Sequence, residues 1–209
     1  MRTLLLFLAV AIGGCKLFYS PPKPIETKPL YDPLPDALDR EYFHSPTGDL
    51  LGKYPKDWLE VNTEEIPELE NILAVYTDVL RSRAFVLTEI PGTAELRRRV
   101  ERDGIAAVAE ESLKMRMAKI PTLIVTREPV ARLDHNILYA SYEYETRGKD
   151  GTQLHHRVAT VGTGVRFYEL ALVELHSVAG RDPIENFRLL QAVIAGLEGT
   201  TSVGTSVSR

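Results

Sequence analysis

Few residues in this chain have the type and spacing to do chemistry. Its single cysteine, Cys15, follows Gly13 and Gly14 at the end of an apolar run. Of the five histidines, His155 and His156 are adjacent in a strand-like stretch, so their side chains point to opposite faces and cannot form a simple chelate. His135, His176 and Glu174 can approach them across strands, but zinc needs three or four ligands converging on one point. Surface histidines on sheet edges are the default. A serine nucleophile needs an activating base and an oxyanion hole, and the sequence contains no Gly-x-Ser-x-Gly elbow. Gly162-Thr163-Gly164 falls between two strands with no helix after it and reads as a turn, not a phosphate cradle. Glu64-Glu65 and Glu110-Glu111 sit on helix or loop surfaces, where solvation explains them. The expectation is therefore no enzyme, with no catalytic residue, no metal site and no cofactor.

The N-terminus carries a stronger signal. Arg2 precedes an apolar run of about nine residues ending at Ile12, whereas a membrane-spanning helix takes roughly twenty. Lys16, Pro21, Pro22 and Pro24 follow, and no membrane helix continues through such prolines. Residues 1–14 thus read as a signal peptide with a small-residue cleavage site. An ordinary secreted protein with an unpaired thiol is the plainer alternative, although an odd cysteine in an exported chain is a liability. The order Ala11-Ile12-Gly13-Gly14-Cys15 resembles the bacterial lipoprotein signal. That resemblance implies a diacylglyceryl thioether on Cys15, cleavage before it and acylation of the new amino terminus. Two or more acyl chains, at about 0.8 kcal/mol per buried methylene, anchor a protein stably. Lys16 after the cysteine, by analogy with lipoprotein sorting, favours the outer membrane, with the domain facing the periplasm.

Composition narrows the partners. The chain is 44% hydrophobic and 26% charged, which are ordinary globular values. Its net charge of −4, one unit more negative once Arg2 is removed, gives no global pull towards nucleic acid. Lipidation of Cys15 would leave no thiol for disulfides, thiolate chemistry or cysteine-ligated zinc.

Residues 15–40 hold six prolines from Pro21 to Pro35 and predict an extended tether. At about 3.1 Å per residue it would reach some 75 Å. Residues 41–198 form the domain, and residues 199–209 a Gly/Ser/Thr/Val tail expected to be mobile. Within the domain, Ser45 to Asp49 has turn chemistry before a short strand, and Trp58 closes over a core edge. Residues 72–78 and 84–90 predict an antiparallel hairpin, although part of the first run also fits a helical face. Residues 94–119 form a helical stretch whose apolar stripe slips at Gly104, predicting a kink or two abutting helices. Arg97-Arg98-Arg99, interleaved with acids, reads as a solvated face. Residues 122–128, 137–146, 154–162 and 165–176 predict antiparallel strands, the second with Tyr139, Ser141, Glu143 and Glu145 on a wet side. A final helix is capped by Asp182 and begins with Pro183.

This order predicts an α+β fold, a three-layer α-β-α sandwich around an antiparallel sheet. Together with Gly48-Asp49 and Tyr54-Pro55-Lys56-Asp57-Trp58, it resembles the PsbP and Mog fold family, including envelope lipoproteins of the DcrB kind. The resemblance implies a non-catalytic protein-interaction or assembly module. Its partners would be the membrane, through the lipid, and an unidentified envelope protein docking on a patch around Trp58, Tyr139 and Tyr168. The alternative is a tethered periplasmic domain that binds or hydrolyses a small ligand, with its pocket near His155, His156 and Glu174.

Overall fold

The computed structural model describes residues 24–27, 31–34, 36–62, 71–148, 150–175 and 183–200. The signal region with Cys15, the Glu64-Glu65 pair, His176, the Asp182 cap and residues 201–209 lie outside these. Strands β1 (Leu38–His44) and β2 (Leu51–Pro55) pair as a small hairpin. The main sheet is built from β3 (Leu59–Glu60), β4 (Ile72–Thr77), β5 (Arg83–Ile90), β6 (Ile124–Asp134), β7 (Ile137–Arg147), β8 (Gln153–Gly162) and β9 (Phe167–Leu175). Their order is β3-β4-β5-β9-β8-β7-β6, and every pairing is antiparallel.

Helices α1 (Ala94–Asp103) and α2 (Ala106–Lys119) abut at Gly104, which takes a φ of +77° and donates its N–H to the Val100 carbonyl. Thr93 caps α1 by accepting the Leu96 N–H at 3.1 Å. The stripe slip in the sequence is thus a break between two helices. They bury Leu96, Val100, Ile105, Val108 and Leu113 against Tyr142, Val158 and Ala171 on one sheet face. Helix α3 (Pro183–Ala195) and the hairpin pack Leu189, Val193, Phe43 and Leu50 against Phe85, Leu87, Tyr139 and Leu170 on the other. The architecture is α+β, in three layers.

Two expectations change. The predicted wet side of β7 is covered, because α3 lies over it: Tyr139 is buried and donates its hydroxyl to Gln191 Oε1 at 3.2 Å, and Glu143 is buried as well. Alternation along β7 looked half-solvated because Glu and Ser occupy inward positions, where they join a polar network. The expected patch of Trp58, Tyr139 and Tyr168 is likewise core, at 9%, 1% and 0% exposure.

The folded body also starts well before Tyr42. The Glu26 N–H donates to the Ala131 carbonyl at 2.9 Å, and the Leu133 N–H donates to the Glu26 carbonyl at 2.9 Å, forming a parallel bridge on the free edge of β6. Tyr31 stacks on Phe187 of α3 at 4.4 Å, and the Leu34 N–H donates to the Arg188 carbonyl at 3.1 Å. These residues of the proline-rich stretch lie on the domain. The remainder of β6 is protected as edge strands commonly are, by register shifts between Val125 and Val130 and by Pro129.

Asp49 joins the layers at one end. Its carboxylate accepts hydroxyl bonds from Ser45 (2.6 Å), Thr47 (2.7 Å), Thr163 (2.6 Å) and Tyr168 (2.6 Å), tying the β1–β2 turn to the β8–β9 turn. A Cβ at Gly199, whose φ is +83°, would strike the Asp49 backbone carbonyl, so glycine is required there. Burial opposes the charge on Asp49, and the four hydroxyl donors outweigh it, holding the carboxyl well below its ordinary range. Asp49→Ala is expected to cost about 2–3 kcal/mol at pH 7, as loss of hydrogen bonds to a charged group does. Because the folded-state pKa is depressed, this contribution is full above the unfolded value of 3.8 and fades as pH falls below it. Urea unfolding at pH 7 and pH 3 should give a smaller difference between wild type and variant at pH 3.

Candidate functional site

Helix α2 rests over β6, β7 and β8, and the same face of β4 and β5 lies beside it. The step between them is a cleft of about 450 Å³ lined by Ile72, Ile90, Pro91, Met115 and Ala118, with Ser112, Arg116 and Glu169 among its polar residues. A volume of this size lies within the usual range of about 300–1,000 Å³ for small-molecule sites.

The polar part is a closed network. Ser112 and Arg116 are one turn apart on α2, and Glu169 faces them from β9. The Glu169 carboxylate accepts from Ser112 Oγ, from Arg116 Nη2 and, at 3.1 Å, from the Tyr142 hydroxyl. Ser112 Oγ and the Tyr142 hydroxyl are also within 2.9 Å of each other. Both residues line the cleft, but the Glu169 side chain is 2% exposed whereas that of Arg116 is 29% exposed, so Arg116 carries most of the pair's accessible surface. Burial disfavours the Arg116 cation, but the charge of Glu169 outweighs it and raises its pKa. Tyr142 and Tyr144 are pushed up by burial and stay neutral. His156 stacks on Tyr144 at 4.3 Å and lies 2.9 Å from Thr146 Oγ1. Burial first, then the charges of Arg116 and His155, lower its pKa to about 3. The network holds one fixed ion pair among neutral rings, an arrangement suited to fixing a ligand's orientation.

The other face carries a second cluster under α3. Arg157 pairs with Glu174, which also accepts from Asn186. The Arg157 guanidinium lies 3.8 Å from the Phe187 ring centroid, so Phe187 is sandwiched between Arg157 and Tyr31. Arg132 pairs with Glu26 and donates to Ser141 Oγ at 2.9 Å. The adjoining cavity is about 30 Å³, the size of a water molecule, and bounds no ligand site.

His155 and His156 occupy opposite faces, as adjacent strand residues must. His155 meets Glu143 at 3.5 Å and Glu174 at 3.8 Å. His135 sits at the β6–β7 turn against Asp134 (2.7 Å). It is at the far end of β7 from His155, some 26 Å away at about 3.3 Å per residue. Among the described residues no three His, Cys, Asp or Glu side chains converge as a metal site. None of His155, His156 and Glu174 lines the 450 Å³ cleft. Arg99 bridges α1 to Glu110 and Glu111 of α2 at 2.9 and 2.8 Å, and Arg97 donates to the Val165 carbonyl at 2.7 Å, so that basic run clamps elements together. The exposed apolar side chains instead include Leu59, Val79 and Leu80 at the β4–β5 end of the sheet (59%, 70% and 75%).

Arg116, Ser112 and Glu169 were not singled out by sequence. One signal could have found them. Glu169 alternates with Phe167 and Ala171 at inward positions of a strand, and an acid there demands a partner.

No protein-family model matches the chain, and no curated protein matches it. Among solved structures it is similar to the solution structure of cyanobacterial PsbP (CyanoP) from Synechocystis. That likeness has 16% identity and a TM-score of 0.48, over 82% of this chain and 99% of that one. It is also similar to a crystal structure of a protein from Bacteroides thetaiotaomicron, at 16% identity and a TM-score of 0.43 over 76% of this chain. The chain spans about half, 47%, of the Bacteroides protein's length. The three-layer α+β assignment stands on this chain's own sheet and helices. No described helix is long and apolar enough to cross a membrane.

Proposed function

We propose that this protein is an envelope lipoprotein, anchored through acylated Cys15 to the outer membrane and facing the periplasm. Its domain is a non-catalytic binding module that receives a small ligand in the cleft between α2 and β5. The observation that carries the binding reading is the cleft itself: about 450 Å³ of open volume bounded by apolar side chains and by the Arg116–Glu169 pair. The apolar wall supplies affinity by burial, and the guanidinium fixes orientation. The anchor rests on the order Ala11 to Cys15.

An assembly role for the same lipoprotein is favoured by a different observation, the exposed Leu59, Val79 and Leu80. One preparation tests both. The intact lipoprotein, extracted from its own membranes, is analysed by native mass spectrometry beside Cys15→Ser, Ala118→Trp and the pair Val79→Ser/Leu80→Ser. A diacylglyceryl mass on Cys15, with a small molecule held at equal stoichiometry and lost in Ala118→Trp, is the expected result. An acylated but empty protein whose crosslinked partner is lost only in the Val79/Leu80 variant would replace the ligand reading with assembly. An unmodified Cys15 would overturn the anchor.

A further inference from the structure

We infer that residues 24–27 and 31–34 are a strap that shortens the proline-rich stretch to a leash leaving the domain at the β6–α3 corner, so that this corner, rather than the cleft, is biased towards the lipid surface. This rests on the lipid anchor at Cys15.

The strap is made of specific contacts. Glu26 bridges the backbone of β6 on both sides of Arg132, and its carboxylate pairs with the Arg132 guanidinium, which is 4% exposed at its side chain. Tyr31 completes a three-layer stack with Phe187 and Arg157, at 4.4 Å ring to ring and 3.8 Å guanidinium to ring. The Leu34 N–H bonds to the Arg188 carbonyl at 3.1 Å, and Arg188 Nε donates to the Asp32 carbonyl at 3.3 Å. These bonds draw on the main chain of β6, the aromatic ring of α3 and a guanidinium of the second polar cluster.

The sequence then places nine residue steps between Cys15 and the first strap residue, Pro24. Nine residues reach at most about 30 Å when fully extended, at about 3.3–3.6 Å each. A tether running free to the start of the domain would reach some 75 Å. The attachment point is the β6 edge, and β5 lies four strands away, about 19 Å at 4.8 Å per strand. The strap contacts the α3 face, and the cleft opens on the opposite face, beside α2. Leu133 and Ile25, 38% and 46% exposed beside the bridge, are the apolar side chains brought nearest the bilayer. The cleft and the Val79–Leu80 tip lie at the far edge, open to the aqueous phase.

The test uses the full acylated chain in vesicles of phosphatidylethanolamine and phosphatidylglycerol that contain an acceptor-labelled lipid. Leu133→Cys or Ala118→Cys carries a donor dye, and Cys15 remains acylated. The lipid surface should quench the dye at position 133 more strongly than the dye at position 118. Adding Glu26→Ala and Tyr31→Ala, both on the strap itself, should lower quenching at position 133 and abolish the difference. Equal quenching at the two positions in the strapped protein, or no response to the double substitution, overturns the strap. An unmodified Cys15 mass, or quenching at neither site with protein free in solution, overturns the anchor itself. The two failures are therefore distinguishable.

Discussion

Arg116→Met is expected to lower the unfolding free energy by about 3–5 kcal/mol, the range found when one member of a buried ion pair is removed. The reason lies in the unequal burial of the partners. Glu169 is 2% exposed and Arg116 29%. Without Arg116, the carboxylate stays deep among Ser112, Tyr142 and the sheet, with two hydroxyl donors but no countercharge. Without Glu169, the guanidinium can turn into the cleft and meet water. Glu169→Gln should therefore cost less than Arg116→Met, although the pair itself is symmetric. The double variant Arg116→Met/Glu169→Leu should recover much of the loss, because well-packed apolar replacements of a buried pair are often neutral or better. Guanidinium unfolding midpoints of the three variants check the order. If the two single variants cost the same, the asymmetry argument fails.

Much of this fold could be read in the sequence because local rules and global packing agree. Pro91-Gly92-Thr93 ends a strand and caps a helix, Gly104 breaks the helical stripe, and the turn at Gly151 joins two strands, each for a local steric reason. Tertiary placement was harder to read. Glu143 looks solvent-facing in a strand pattern, and only the packing of other elements over that face makes it buried. Trp58, Tyr139 and Tyr168 could equally have been surface aromatics, because the polar atom of a buried tyrosine needs only one partner, here Gln191 for Tyr139 and Asp49 for Tyr168. The cleft could not be read at all. It arises between α2 and the neighbouring strands β4 and β5, a fact about helix placement that no residue spacing encodes. The prolines before Tyr42 were read for their resistance to helix, but extended chain serves a strap as well as a tether.

Acid should destabilise this protein through His156 well before the carboxylates titrate. The imidazole is enclosed by Tyr144, Thr146 and the α2 face that carries Arg116, with His155 on the neighbouring residue. Burial and those positive neighbours hold its pKa near 3 in the folded chain against 6.5 unfolded. Between these values the unfolded state binds the proton and the folded state does not, so stability falls as pH drops from 6.5 towards 3. At about 1.4 kcal/mol per unit, the full difference is of the order of 4–5 kcal/mol, comparable with a large part of a domain's stability. Asp49 adds to the same trend only below about pH 4, so the interval from pH 6 to pH 4 isolates the histidine. His156→Phe keeps a flat ring for the stack on Tyr144 and removes the titration, at the cost of the contact with Thr146 Oγ1. Its stability at pH 7 should be somewhat lower than wild type, and its slope between pH 6 and pH 4 distinctly flatter, so that the two curves approach or cross. Urea midpoints measured across that interval decide it. Parallel slopes would mean that the imidazole takes up its proton without leaving the fold, and that the helix over it yields enough to let water in.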